Sequence, residues 1–312
     1  MLNLGVQTKN IVNDENPADG YKKLKEAGFS CVDFSLNSYL LNSDLYKGEC
    51  NSFFERSVKE LEEYFVLHKK AATQHGVRIW QMHMPYPIYV PGGKKELNTY
   101  LQKVVAAKSM EICRFLECPY IVVHGMKLTE LLGTEEAEWG CTEKFLHTIL
   151  PLAKEYHITV CIENLYSTNG LRIMEGPCCD AKKAVARIKR INEAYDAEVL
   201  GFCFDTGHAN LVGIDMERFI TTLASHLKVL HIHDNDGVGD LHQIPFVFTK
   251  TRENKPSTDW DGFVRGLRNI QYQGVLSFET APVLTAFPEV LKADALGLIA
   301  HIGEYFLKEI EK

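Results

Sequence analysis

The chain has 312 residues, 46% of them hydrophobic, and a formal net charge of −7. That length and apolar content can fill one large core, and the acidic balance excludes a broad basic footprint for nucleic acid or an anionic membrane. No apolar run reaches the roughly 18–20 residues that span a bilayer, and MLNLGVQTKN lacks the pattern of a secretory signal, so the expected location is cytoplasmic.

An apolar run at 2–7 precedes a helical pattern over 17–28, which Pro17 opens and Gly28 stops. Strand-like 31–36 leads to a helix around 52–75, strand 77–84 to a helix around 95–117, and strand 120–125 to a helix around 141–157. The second half continues with strand 159–164, helix 179–195, strand 200–205, helix 215–226, strand 228–233, helix 260–271, strand 274–279 and helix 288–311. Such alternation implies parallel crossovers, and eight units in this length predict an α/β chain folded as a closed (β/α)8 TIM barrel, one domain over 1–312. An open doubly wound sheet more often carries a Gly-rich phosphate turn after its first strand, and GVQTKN is not one.

Six of these apolar strands end on metal-capable side chains: His83, His124, Glu163, Asp205 with His208, His231, and Glu279. The segment DLH adds Asp240 and His242. In a barrel of this kind the loops after the strands build the active site, so these residues face one mouth. Imidazoles and carboxylates without thiolates suit Mn²⁺ or Zn²⁺. His233 is expected to face the helix layer. The nine cysteines form no Cys-x-x-Cys pair and fit a reducing compartment; Cys178 and Cys179 are read as incidental. The long segments 126–140 and 234–259 are candidates for shaping a substrate site. The helix carrying Lys182, Lys183, Arg187, Lys189 and Arg190 is read as a solvated face.

In order, HMPYP, VVHG, IEN, DTGHA, HIHDND, DLH and FE resemble the xylose isomerase-like TIM-barrel superfamily, which includes sugar-phosphate isomerases and epimerases as well as endonuclease IV. The resemblance implies a metal-dependent sugar or sugar-phosphate isomerase or epimerase, with Glu163, Asp205, His231 and Glu279 as metal ligands. It also implies that Glu163 and Glu279 are catalytic, passing a proton through a metal-stabilised enediolate, and that His208 contacts the sugar. Metal proximity and partial burial are expected to move the two carboxylates' proton affinities in opposite directions. His83, His124, His208, Asp240 and His242 match further ligands of the endonuclease branch and are candidates as additional metal or substrate contacts. A zinc phosphodiesterase therefore stays open as an alternative, as does a non-catalytic sugar-binding barrel. The acidic loop TELLGTEEAEWG argues against a bound duplex. NLYSTN after Glu163 and DNDGVG after His233 depart from the ketose 3-epimerase signature, which leaves the sugar open. Tyr86, Trp80, Tyr166 and Trp260 are candidates for stacking on it, and Lys250, Arg252 and Lys255 for holding a phosphate. The expected partner is a small sugar or sugar phosphate, not nucleic acid or membrane, and a homo-oligomer is compatible with the sequence.

Overall fold

In the computed structural model, which describes residues 2–129 and 134–312, each short apolar run forms a strand and the chain returns through a helix. In chain order the strands are β1 (Asn3–Gln7), β2 (Cys31–Ser35), β3 (Arg78–His83), β4 (Tyr120–Val123), β5 (Thr159–Glu163), β6 (Tyr166–Asn169), β7 (Arg172–Glu175), β8 (Leu200–Asp205), β9 (Leu227–His231), β10 (Thr249–Lys250), β11 (Lys255–Pro256) and β12 (Val275–Phe278). β6 pairs with β7 and β10 with β11 as small antiparallel ribbons. The other eight run parallel in the order β12-β1-β2-β3-β4-β5-β8-β9. Ile232 continues β9 and bridges to Phe278, its N–H donating to the Ser277 carbonyl at 2.8 Å, which brings the two ends of the sheet together as the predicted barrel. Parallel strands require crossovers, and the helices that supply them cover the outer face of the sheet.

Local chemistry sets the helix ends. The helix Pro17–Ala27 stops at Gly28, which takes the left-handed conformation at φ 106°. Ser57 and Glu60 form a reciprocal cap on the helix Val58–His75. The helix expected from 141 begins earlier, at Glu135, because Glu135, Glu136 and Glu138 suit the positive end of its dipole. The predicted loop 126–140 is shortened accordingly, and its residues 130–133 lie outside the described residues.

Most of the apolar core lies between sheet and helices. A second cluster, Val122, Cys161, Cys203 and Val229, is wholly buried inside the barrel. These residues stand two positions before His124, Glu163, Asp205 and His231, so side-chain alternation puts the polar set one layer above an apolar floor. Trp80, expected beside a sugar, instead packs on Tyr120 at 5.2 Å and against this floor, with the Arg78 guanidinium 4.4 Å from its ring. All nine cysteines are unpaired. Among the described residues no helix is long and apolar enough to cross a membrane.

Candidate metal centre

Strand alternation aims Glu163 from β5, Asp205 from β8, His231 from β9 and Glu279, just past β12, into one buried space. His231 Nδ1 lies 3.0 Å from Glu163 Oε1, 3.4 Å from Glu279 Oε2 and 3.9 Å from Asp205 Oδ2. Atoms bound to one ion at about 2.0–2.2 Å stand about 3.0–3.5 Å apart, so this spacing fits a shared divalent cation with slight contraction at Asp205. Each residue is held by something outside the cluster. Asn164 ties the ends of β5 and β8 together, donating to the Asp205 carbonyl and accepting from the Asp205 N–H, both at 2.9 Å. Asp205 Oδ1 caps the helix Thr206–Val212 through the His208 N–H, which leaves Oδ2 for the cluster. Gln7 donates to Glu279 Oε1 at 2.8 Å.

His231 Nε2 sits 3.0 Å from Asp33 Oδ2, and both side chains are fully buried. Burial opposes charging His231, but the carboxylates at both ring nitrogens, Glu163 and Glu279 at Nδ1 and Asp33 at Nε2, raise its pKa well above the ordinary value, and a cation bound at Nδ1 would take the place of the proton there. Carboxylates converging in this way repel unless positive charge lies among them.

Two further groups flank this centre. On one side His124 Nε2 is 3.0 Å and His83 Nε2 3.7 Å from Glu163 Oε2, a buried oxygen with no aligned hydrogen-bond donor. On the other, Asp240 Oδ2 lies 3.5 Å from His208 Nε2 and 3.3 Å from His242 Nε2. The loop bearing Asp240 folds back because Asp236 accepts from the N–H groups of Val238 and Gly239, and Gln243 pairs with Asp234. His83, His208 and His242 share one arrangement. Each directs Nδ1 at a backbone carbonyl, of Met84 at 2.8 Å, Asn164 at 3.0 Å and Glu279 at 3.0 Å respectively. Donation from Nδ1 leaves each Nε2 free as a metal or proton acceptor.

The charges follow from this crowding. Burial alone would raise Glu163, but His231 and His124 hold it well below the ordinary carboxylate range. The same opposition brings Glu279 down to about 2, with His231, His242 and His83 outweighing burial. Both carboxylates are thus depressed, contrary to the opposite shifts expected, because both face the His231 imidazole. Burial works against charging His208 and His242, yet Asp205 and Asp240 push His208 up to about 9, and Glu279 and Asp240 push His242 up to about 10. His124, where burial dominates, falls to about 4. Cys203 also comes near Glu163 and His231, but burial raises its thiol well above the usual value and keeps it neutral.

All nine candidate ligands are therefore adjacent. Tyr86 stacks on His124 with ring centres 4.4 Å apart, and Tyr166 leans over His208 at 5.3 Å. Trp260 does not join them: it opens the helix Trp260–Asn269 behind its cap Asp259 and packs at 5.3 Å on Phe306 in the helix layer. Lys250 and Arg252 are exposed on and beside the β10/β11 ribbon, away from the buried cluster. His233 faces inward rather than toward the helices, since residues two apart on a strand share a face. Its Nε2 lies 3.0 Å from Asp205 Oδ2 and its ring stacks on His242 at 4.0 Å. Asp33 and Gln7 were missed, although the alternation that aims Glu163 inward does the same for them, and they are register partners on β2 and β1. The basic helix is not merely solvated: Lys183 and Arg187 pair with Glu135 and Glu136, and Arg190 with Glu143. A cavity of about 730 Å³ between the helices Pro17–Ala27 and Lys292–Ile310 is lined by none of the cluster residues.

Comparison with known proteins agrees with this architecture. The family described as xylose isomerase-like TIM barrel matches residues 21–295. An uncharacterized protein of Sinorhizobium fredii, y4fM, is 25% identical over 126 residues, which cover 40% of this chain and 34% of that protein's length. The crystal structure of a D-tagatose 3-epimerase-like protein superimposes with a TM-score of 0.68 at 19% identity, covering 99% of this chain and 98% of the other. D-Psicose 3-epimerase, crystallised in the presence of D-fructose, gives 0.67 at 13% identity, covering 98% and 99%.

Proposed function

Because the chain belongs to the xylose isomerase-like TIM-barrel family, we propose that it is a metal-dependent sugar or sugar-phosphate isomerase or epimerase. The observation that carries this reading is the placement of two carboxylates, Glu163 and Glu279, at 3.0 and 3.4 Å from one atom, His231 Nδ1, within a donor set that fits one divalent ion. The structural resemblance to sugar 3-epimerases supports it. Glu163, Asp205, His231 and Glu279 would hold Mn²⁺ or Zn²⁺, whose chemistry when bound is to polarise neighbouring sugar oxygens and acidify the adjoining C–H.

The side chains account for the rest. Both carboxylates are ionised at neutral pH, so either can accept the proton from the carbon beside the carbonyl. Gln7 fixes Glu279 by its Oε1, which leaves Oε2 turned toward the centre. Glu163 is fully buried above the apolar floor, which fixes its position beside His231. Tyr86 and Tyr166 close the sides with aromatic faces on which a sugar ring or chain can lie. Glu163→Gln and Glu279→Gln, with the metal restored, should each abolish exchange of a sugar C–H with D₂O while leaving the fold intact. Undiminished exchange in both variants would remove this assignment.

One observation favours a second reading, metal-assisted phosphodiester hydrolysis. The His83–His124 and His208–Asp240–His242 groups each adjoin the centre and are equipped to hold further ions. Against it, much of the basic helix that might meet phosphates is already engaged by Glu135, Glu136 and Glu143. Incision of abasic DNA, without sugar C–H exchange, would establish the second reading in place of the first.

A further inference from the structure

Resting on the sugar isomerase or epimerase reading, we propose that Lys127 is the anion-recognising residue of a substrate subsite beside the metal centre, and that the substrate is a sugar bearing a phosphate or carboxylate at the end remote from the reacting carbons. A cavity of about 290 Å³ adjoins the cluster, sharing His124 as a wall and lined also by Tyr46, Tyr89, Lys127, Ser167 and Thr168. This is near the lower end of the range for small-molecule sites, about 300 Å³.

Among the described residues Lys127 is anchored but not ion-paired. Its Nζ donates to the Tyr166 carbonyl and stands 5.3 Å from the centre of the Tyr166 ring. An ammonium has three N–H donors, and only one protein acceptor is seen among the described residues. No carboxylate among the described residues lies within ion-pairing distance of it, unlike Lys183, Arg187 and Arg190. Burial lowers its proton affinity by more than the Glu138, Asp240 and Glu163 carboxylates, none within ion-pairing distance, raise it. An incoming oxyanion would supply the missing partner through charge-assisted hydrogen bonds, and Ser167 and Thr168 add hydroxyls at the same wall. Tyr166 links the subsite to the centre, because the ring beneath Lys127 also leans over His208.

The subsite also differs in kind from the cations expected to hold a phosphate from sequence. Lys250 and Arg252 are exposed on a surface ribbon, whereas Lys127 borders a cavity that reaches a candidate metal ligand.

Calorimetric binding to the metal-loaded full chain tests this, using D-ribulose, D-xylulose and D-fructose, each with and without a terminal phosphate, and inorganic phosphate alone. At least one phosphorylated sugar should bind about tenfold or more tightly than its neutral counterpart, as expected of a charge-assisted contact. Lys127→Met should erase that preference and Lys127→Arg should retain part of it. Equal binding of every pair, no binding of any phosphorylated sugar, or a preference that survives Lys127→Met would overturn the proposal; the last would put the phosphate on the metal cluster. Failure of the broader reading is separate: phosphorylated sugars would bind through Lys127, but no sugar C–H would exchange with D₂O.

Discussion

Asp33→Asn tests whether the centre is built around an oriented imidazole. Asp33 lies 3.0 Å from His231 Nε2, neither side chain is exposed to solvent, and Gln81 donates to the same Asp33 oxygen at 3.3 Å. Removing a carboxylate that orients a metal-binding histidine costs about 10–100-fold in metal affinity, or about 1.4–2.7 kcal/mol. The upper end applies here. An amide at this position can donate to Nε2, which favours the proton on Nδ1 and blocks the atom facing Glu163, Asp205 and Glu279. Without metal the change should cost less, because the buried His231 imidazole loses Asp33 at Nε2 but keeps Glu163 and Glu279 at Nδ1. Competition against a chromophoric chelator measures the affinity, and thermal unfolding in excess EDTA measures the ion-free fold. A metal affinity within about threefold of wild type, or destabilisation in EDTA equal to the loss with metal, would refute the orienting role.

Gly207→Ala should destabilise the chain by about 1–3 kcal/mol in urea unfolding, as overpacking does, because the new Cβ would collide with the His233 ring. Wild-type stability would show that His233 is not held as described. Asp14 accepts from the hydroxyls of Tyr39 at 2.7 Å and Tyr64 at 2.8 Å and lies 2.7 Å from His68 Nε2. Burial would raise its pKa, but the bonds from His68, Tyr39 and Tyr64 hold it below the ordinary 3.8. A depressed folded-state pKa stabilises the fold above the unfolded value and loses that contribution as pH falls through the folded one. Discounted for the exposed carboxylate, Asp14→Asn should therefore cost about 0.5–1 kcal/mol at pH 7, with the difference shrinking at pH values below 3.8; a pH-independent difference would contradict this.

The barrel and its ligand face were legible because both follow from one periodicity. Apolar alternation marks the strands, and the residue that breaks it at each C-terminal end marks the mouth. The same rule, applied too narrowly, lost Asp33: VDFS sits mid-strand, and attention to strand ends passes over an acid two residues earlier. It was also misapplied at His233, which must share a face with His231. Trp260 is a stacking candidate by residue type alone, but once Asp259 caps the helix the indole sits in its first turn and packs on Phe263 and Phe306. Lys127 lacks any sequence signal, since its role depends on Tyr166, a residue brought to it by the β6/β7 ribbon 39 positions later.

The most direct test is anomalous diffraction from crystals grown with Zn²⁺ or Mn²⁺. A peak within bonding distance of Glu163, Asp205, His231 and Glu279, lost in Asp205→Ala, is the expected result. Well-ordered crystals of metal-saturated protein with no peak among those four side chains would contradict the metal centre and the chemistry assigned to it.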